Sequence, residues 1–80
     1  MHILLSRQAE KFLDKLTDKQ VQIVMSAIEG LTSNPPKGDI RKLKGYTDEK
    51  RLRVGTIRVI FRQSESAVHV SDIDFRVNIY

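Results

Sequence analysis

Lys50-Arg51-Leu52-Arg53-Val54-Gly55-Thr56-Ile57-Arg58-Val59-Ile60-Phe61-Arg62 alternates apolar and cationic side chains on either side of a Gly-Thr break. Successive side chains of an extended strand point to opposite faces, so Leu52 and Val54 share one face while Arg51 and Arg53 share the other. Beyond Gly55-Thr56 the pattern resumes, with Ile57, Val59 and Phe61 on one side and Arg58, Ile60 and Arg62 on the other. Two neighbouring strands are therefore expected to bury one face and present several arginines on the opposite one. The segment from Ser71 to Tyr80 frames them, and its Asp72, Asp74 and Arg76 fall on one strand face.

Working outward, Ile40-Arg41-Lys42-Leu43-Lys44 begins the strand half, Gly45 to Glu49 reads as a turn, Gln63-Ser64-Glu65-Ser66 as a polar hairpin loop, and Ala67 to Phe75 as a final strand. Upstream, Met1 to Leu5 is a short apolar run suited to an edge strand. Ser6 offers a side-chain oxygen to the first free amides of a helix, and Ala9, Phe12, Leu13 and Leu16 follow at helical spacing. The opposite face of that helix, with Arg7, Lys11, Asp14 and Lys15, is a charged, solvated one. Thr17-Asp18-Lys19-Gln20 has the spacing of a capping box, so a second helix begins directly after the first. Its apolar stripe is Val21, Val24, Ile28 and Leu31, and Gly30 is placed to end it. Met25 reads as packing. Thr32 to Gly38 consists of turn and breaker residues, too few to separate two domains. The predicted architecture is one α+β domain over residues 1–80, a helical hairpin packed on a small, mostly antiparallel sheet in the order β-α-α-β-β-β.

Eighty residues bury one modest core. The absence of cysteine excludes a disulfide framework and thiolate metal sites. No apolar run is long enough for a membrane span, and the first residues lack the basic flank of a signal peptide, so a cytoplasmic protein is expected. The net charge of +4 is unevenly spread. Residues 1–40 balance five basic against five acidic side chains, residues 41–62 carry eight basic and two acidic, and residues 63–80 carry one basic and three acidic. A middle segment of +6 attracts polyanions, whether nucleic acid or an acidic protein; the same charge also serves plain solubility.

Leu43-Lys44-Gly45, then Arg51-Leu52-Arg53-Val54-Gly55, then Ile57-Arg58-Val59-Ile60-Phe61, then Asp72-Ile73 with Arg76, Ile79 and Tyr80 together resemble the RelE/ParE superfamily of type II toxin-antitoxin toxins. The likeness runs over nearly the whole chain, because the helical hairpin also precedes the sheet in that family. It implies a toxin neutralised by a cognate antitoxin that wraps it. On activity the superfamily divides: RelE-type members cleave mRNA in the ribosomal A site without a metal or other cofactor, and ParE-type members inhibit DNA gyrase. The RelE-type positions are all filled here, by Arg51 and Arg53 in the first arginine strand, Arg58 in the second, and Arg76 and Tyr80 in the closing segment. The chain is thus expected to be an mRNA endoribonuclease with ribosome, mRNA and antitoxin as partners; a gyrase inhibitor, or a basic module that only binds RNA or protein, is the alternative. Where many relatives have histidine and aspartate in the closing motif, this chain has Phe75 and Asn78.

In the nuclease reading Arg58 meets the charge that develops on phosphorus, and Arg51 and Arg53, with Lys44 and Arg62, hold the flanking backbone. Arg76 and Tyr80 serve proton transfer or base stacking. Each has a plainer use: Tyr80 as a packed aromatic, Arg51 and Arg53 as a solvated face, Arg76 as an ion-pair partner of Asp72 or Asp74. Asp72 and Asp74, two residues apart, have the spacing of a magnesium pair, but without a third carboxylate ion pairing is the better use. His2 and His69 receive no role.

Overall fold

The computed structural model describes residues 1–45 and 48–76. Strand β1 (His2–Leu5) leads into helix α1 (Arg7–Asp14) and helix α2 (Asp18–Glu29). Four strands follow: β2 (Asp39–Lys42), β3 (Lys50–Val54), β4 (Ile57–Gln63) and β5 (Ala67–Phe75). They form one five-stranded sheet in the spatial order β1-β5-β4-β3-β2, antiparallel throughout except for the parallel β1–β5 pair. The expected α+β arrangement of a helical hairpin on a mostly antiparallel sheet is present. The segment that opens the strand half is a short edge strand of its own, so four strands rather than three follow the helices.

Local chemistry accounts for the element boundaries. Ser6 caps α1, its hydroxyl accepting from the Ala9 amide at 3.1 Å. Thr17 and Gln20 complete the capping box of α2: the Thr17 hydroxyl accepts from the Gln20 amide at 3.2 Å, and the Gln20 side chain accepts from the Thr17 amide at 3.0 Å. Gly30 ends α2 as expected, yet in a right-handed conformation, and the chain continues as a 3₁₀ turn, Gly30–Thr32. Between β3 and β4, Gly55 adopts a φ of +59° at the first position of a two-residue turn, the conformation that a tight hairpin requires.

Both helices pack on one face of the sheet. Ala9, Phe12 and Leu13 of α1 and Val24 and Ile28 of α2 meet Leu52, Ile57, Val59, Phe61, Val68, Val70 and Ile73 in a single core. The inward residues are those that the alternation in β3 and β4 selects. The side chains that the same alternation turns the other way lie on the face opposite the helices, where Arg62 is exposed, Arg51 and Arg53 are half-buried, and Arg58 and Ile60 are buried.

Candidate nucleic-acid interface

The face turned away from the helices is electrically polarised, and strand register explains why. Asp39 of β2, Arg53 of β3, Arg58 of β4 and Asp74 of β5 lie in one row, each directly opposite the next. The neighbouring row is Arg41, Arg51, Ile60 and Asp72. Cationic side chains thus gather on β2 to β4 and carboxylates on β5. Within a strand, Arg51 and Arg53 are about 7 Å apart, and strands are spaced about 4.8 Å, so the arginines form a dense patch.

At this patch Arg41, Lys42, Leu43, Lys44, Arg51, Arg53 and Arg58 line an open basin of about 600 Å³. Arg58 forms its floor and is only 4% exposed. In the strand register Arg58 stands directly between Arg53 and Asp74, so a carboxylate-bearing residue lies across the strand from this buried guanidinium. The Nε of Arg53 lies 3.9 Å from an Asp39 carboxylate oxygen, an ion pair at the rim of the basin. The Nε atoms of Arg51 and Arg53 are buried without a hydrogen-bond partner among the described residues.

The acidic side is tied down separately. Ser71 is an extra residue in β5, since Ile60 pairs with Asp72 while Phe61 pairs with Val70. Its hydroxyl donates to a Glu49 carboxylate oxygen at 2.9 Å and approaches the Ile60 carbonyl at 3.3 Å. Burial first, and then the charges of Asp74 and Glu49, push the Asp72 carboxyl above its ordinary range, partly offset by the Ile73 amide. Among the described residues no group of three or more His, Cys, Asp or Glu is placed to hold a metal ion.

Of the residues singled out in the sequence, Lys44, Arg51, Arg53 and Arg58 converge in the basin. Arg62 does not: it lies farther along β4, beside Leu4 and His69 in a separate hollow. Arg76 directly follows β5, its amide donating to the Thr56 carbonyl at 2.8 Å, with a buried Nε lacking a hydrogen-bond partner among the described residues. Tyr80 and Asn78 lie outside the described residues. Phe75, the closing-motif position noted in the sequence, packs edge-on against Phe12 at 5.2 Å and so faces the helices, not the basin. Arg41 and Lys42 join the basin although the sequence reading gave them no role; their place in the basic run 41–62 was the available signal.

A helical hairpin beneath a sheet whose open face carries an arginine basin defines a small toxin of the RelE/ParE superfamily. The chain belongs to the ParE toxin family of type II toxin-antitoxin systems (parDE), whose family model matches residues 3–80. The expected superfamily is thereby borne out. The fold is similar to that of the RelB-RelE antitoxin-toxin complex from Methanococcus jannaschii, with 25% identity, a TM-score of 0.77, and coverage of 96% of this chain and 94% of that one. It is similar as well to the archaeal RelE-RelB complex from Pyrococcus horikoshii OT3 (23% identity, TM-score 0.75, 94% and 93% covered). A third similar structure is the YoeB-YefM complex from Staphylococcus aureus (18% identity, TM-score 0.76, 95% and 97% covered). Comparison with curated proteins by sequence returns no match. Among the described residues no helix is long and apolar enough to cross a membrane.

Proposed function

We propose that this type II toxin is a ribosome-dependent mRNA endoribonuclease that seats RNA in the arginine basin, and that a cognate antitoxin neutralises it. One observation carries the reading: six cationic side chains line a single basin, with the charge of Arg58 held at its floor. Cleavage without a cofactor requires the 2′-oxygen to bond to phosphorus while the bond to the 5′-oxygen breaks, leaving a 2′,3′-cyclic phosphate and a 5′-hydroxyl. The passing phosphorane bears extra negative charge, and a buried, fixed guanidinium meets it with little reorganisation. Arg51 and Arg53 hold the flanking phosphates, each through a planar fork. Arg76 and Tyr80 are assigned to the proton transfers or to stacking. An unperturbed phenol titrates near pH ~10, so the chemistry relies on alignment by the ribosome.

The family match favours a second reading, inhibition of DNA gyrase, because the model that matches is that of ParE toxins. Induction of the protein in cells separates the two. The nuclease reading requires message cut within coding sequence and intact DNA; gyrase inhibition leaves message whole and gives DNA breaks. The relatives above were solved with antitoxins, which supports a neutralising partner for this chain as well. The basin's cations and the edges of β1 and β2, the outermost strands among the described residues, give an acidic, extended segment somewhere to bind.

A further inference from the structure

Strand β1 flanks only half of β5. Its register runs from His2 opposite Ala67 to Leu5 opposite Val70, so among the described residues no strand lies beside the outer edge of β5 from Ser71 onward. That same half begins at the Ser71 bulge, where pairing with β4 skips a residue. A strand held on one side only, just past a bulge, is where register is least constrained. Yet this half sets Asp74 across from Arg58 and leads directly into Arg76.

The first turn of α1 occupies the open edge. The Ser6 amide donates to the Val70 carbonyl at 2.9 Å and its hydroxyl donates to the Ser71 carbonyl at 2.8 Å. Gln8 then treats Ile73 as a neighbouring strand would. Its Nε2 donates to the Ile73 carbonyl at 2.7 Å, and its Oε1 accepts from the Ile73 amide at 2.9 Å. One side chain thereby satisfies both edge groups of a residue, the exchange that a hydrogen-bonded antiparallel pair makes through backbone alone. One turn on, Phe12 holds Phe75.

We infer that Gln8 is a positioning residue: through the β5 backbone it fixes the strand beyond the bulge, and with it Asp74 beside Arg58 and the entry of Arg76 to the site. Gln8 does not line the basin; it lines a separate hollow with Asp74, and its two side-chain hydrogen bonds are to the Ile73 backbone, so its effect passes through β5. The consequence for cleavage rests on the nuclease reading; the consequence for the strand does not.

The test uses the full chain with Gln8→Met, which keeps the length and removes both hydrogen bonds, and Gln8→Glu, which keeps the acceptor for the Ile73 amide and loses the donor to its carbonyl. Cleavage of message on programmed ribosomes is followed in single turnover against toxin concentration. Gln8→Met is expected to lower the maximal rate by about tenfold or more while the half-saturating concentration stays within about twofold, the split that misplacement of a reacting group produces. Gln8→Glu falls between it and the wild type. Amide exchange at Ile73 and Arg76 accelerates by about tenfold or more in Gln8→Met, with Val24 and Val59 still protected. An unchanged maximal rate in Gln8→Met, with wild type active, overturns the inference and leaves the nuclease reading intact. Faster exchange spread equally to Val24 and Val59 also overturns it, since the loss would be global. A wild-type protein that leaves message uncut refutes the nuclease reading and, with it, the part in cleavage given to Gln8.

Discussion

Replacing Arg51 and Arg53 with Gln tests the basin quantitatively. Both side chains line it, about 7 Å apart along β3. Each phosphate contact on single-stranded nucleic acid contributes about 0.7 to the slope of log affinity against log salt, so two lost contacts flatten it by about 1.4. At about 0.1 M salt that corresponds to roughly a 25-fold loss of affinity, or about 2 kcal/mol. The two single substitutions are not equal. Asp39 already engages Arg53, so Arg53→Gln should cost less than Arg51→Gln, and Asp39→Asn should steepen the slope. Fluorescence anisotropy of a labelled single-stranded RNA, titrated with the protein between about 50 and 200 mM salt, reads all of these. Lys19→Gln, on the exposed start of α2, is the control for net charge. Parallel lines for wild type and the double variant would refute the phosphate contacts; an equal loss in Lys19→Gln would show that binding follows net charge and not the basin.

Other substitutions probe the frame that holds the basin. Thr17→Ala removes one arm of the capping box and should cost about 1 kcal/mol, a fall of roughly 4–8 °C in the thermal midpoint. Phe61→Ala empties a fully buried site and should cost about 3–5 kcal/mol, enough to leave little folded protein in a denaturant titration. Gly38→Ala meets a φ of +125° and puts a methyl 2.7 Å from the Leu52 side chain, so urea melts should show a loss of about 1–3 kcal/mol. Asp72 titrates above its ordinary range, so the folded state binds more protons than the unfolded state through that window, and stability falls as pH rises across it. Thermal melts from about pH 4 to pH 7 should therefore find Asp72→Asn more stable than wild type at the upper end and converging with it at the lower end. A gap that widens toward low pH would refute the burial of that carboxylate.

What could be read from the sequence was local or periodic. Ser6 and Thr17 announce their helices within a single turn of chain, and the alternation in β3 and β4 decides which side chains enter the core and which form the basin. The long-range pairings were not legible. Nothing in His2–Leu5 states that this strand lies parallel to β5 or that it stops at Val70, and so nothing pointed to Gln8 as the group completing that edge. The bulge at Ser71 is equally silent, because its partners Glu49 and Ile60 come from elsewhere in the chain. Within the site, Arg51, Arg53 and Arg58 follow from period two, whereas Arg62 shares that period but lies four residues beyond Arg58, about 13 Å along the strand. Residue periodicity gives a face, not a position on it. Gly30 shows the same limit: the residue type marked the helix end but not the right-handed 3₁₀ continuation.

Primer extension of a defined message on translating ribosomes, with wild-type protein, Arg58→Ala and Arg58→Lys, tests the central claim most directly. Both variants are first shown to be folded by thermal melting, because Arg58 is buried. The account predicts cuts within A-site codons for wild type, none for Arg58→Ala, and strongly reduced cutting for Arg58→Lys, which keeps the charge but loses the planar fork. Uncut message with wild type, together with DNA breaks from purified gyrase, would contradict it and place this toxin among the gyrase inhibitors.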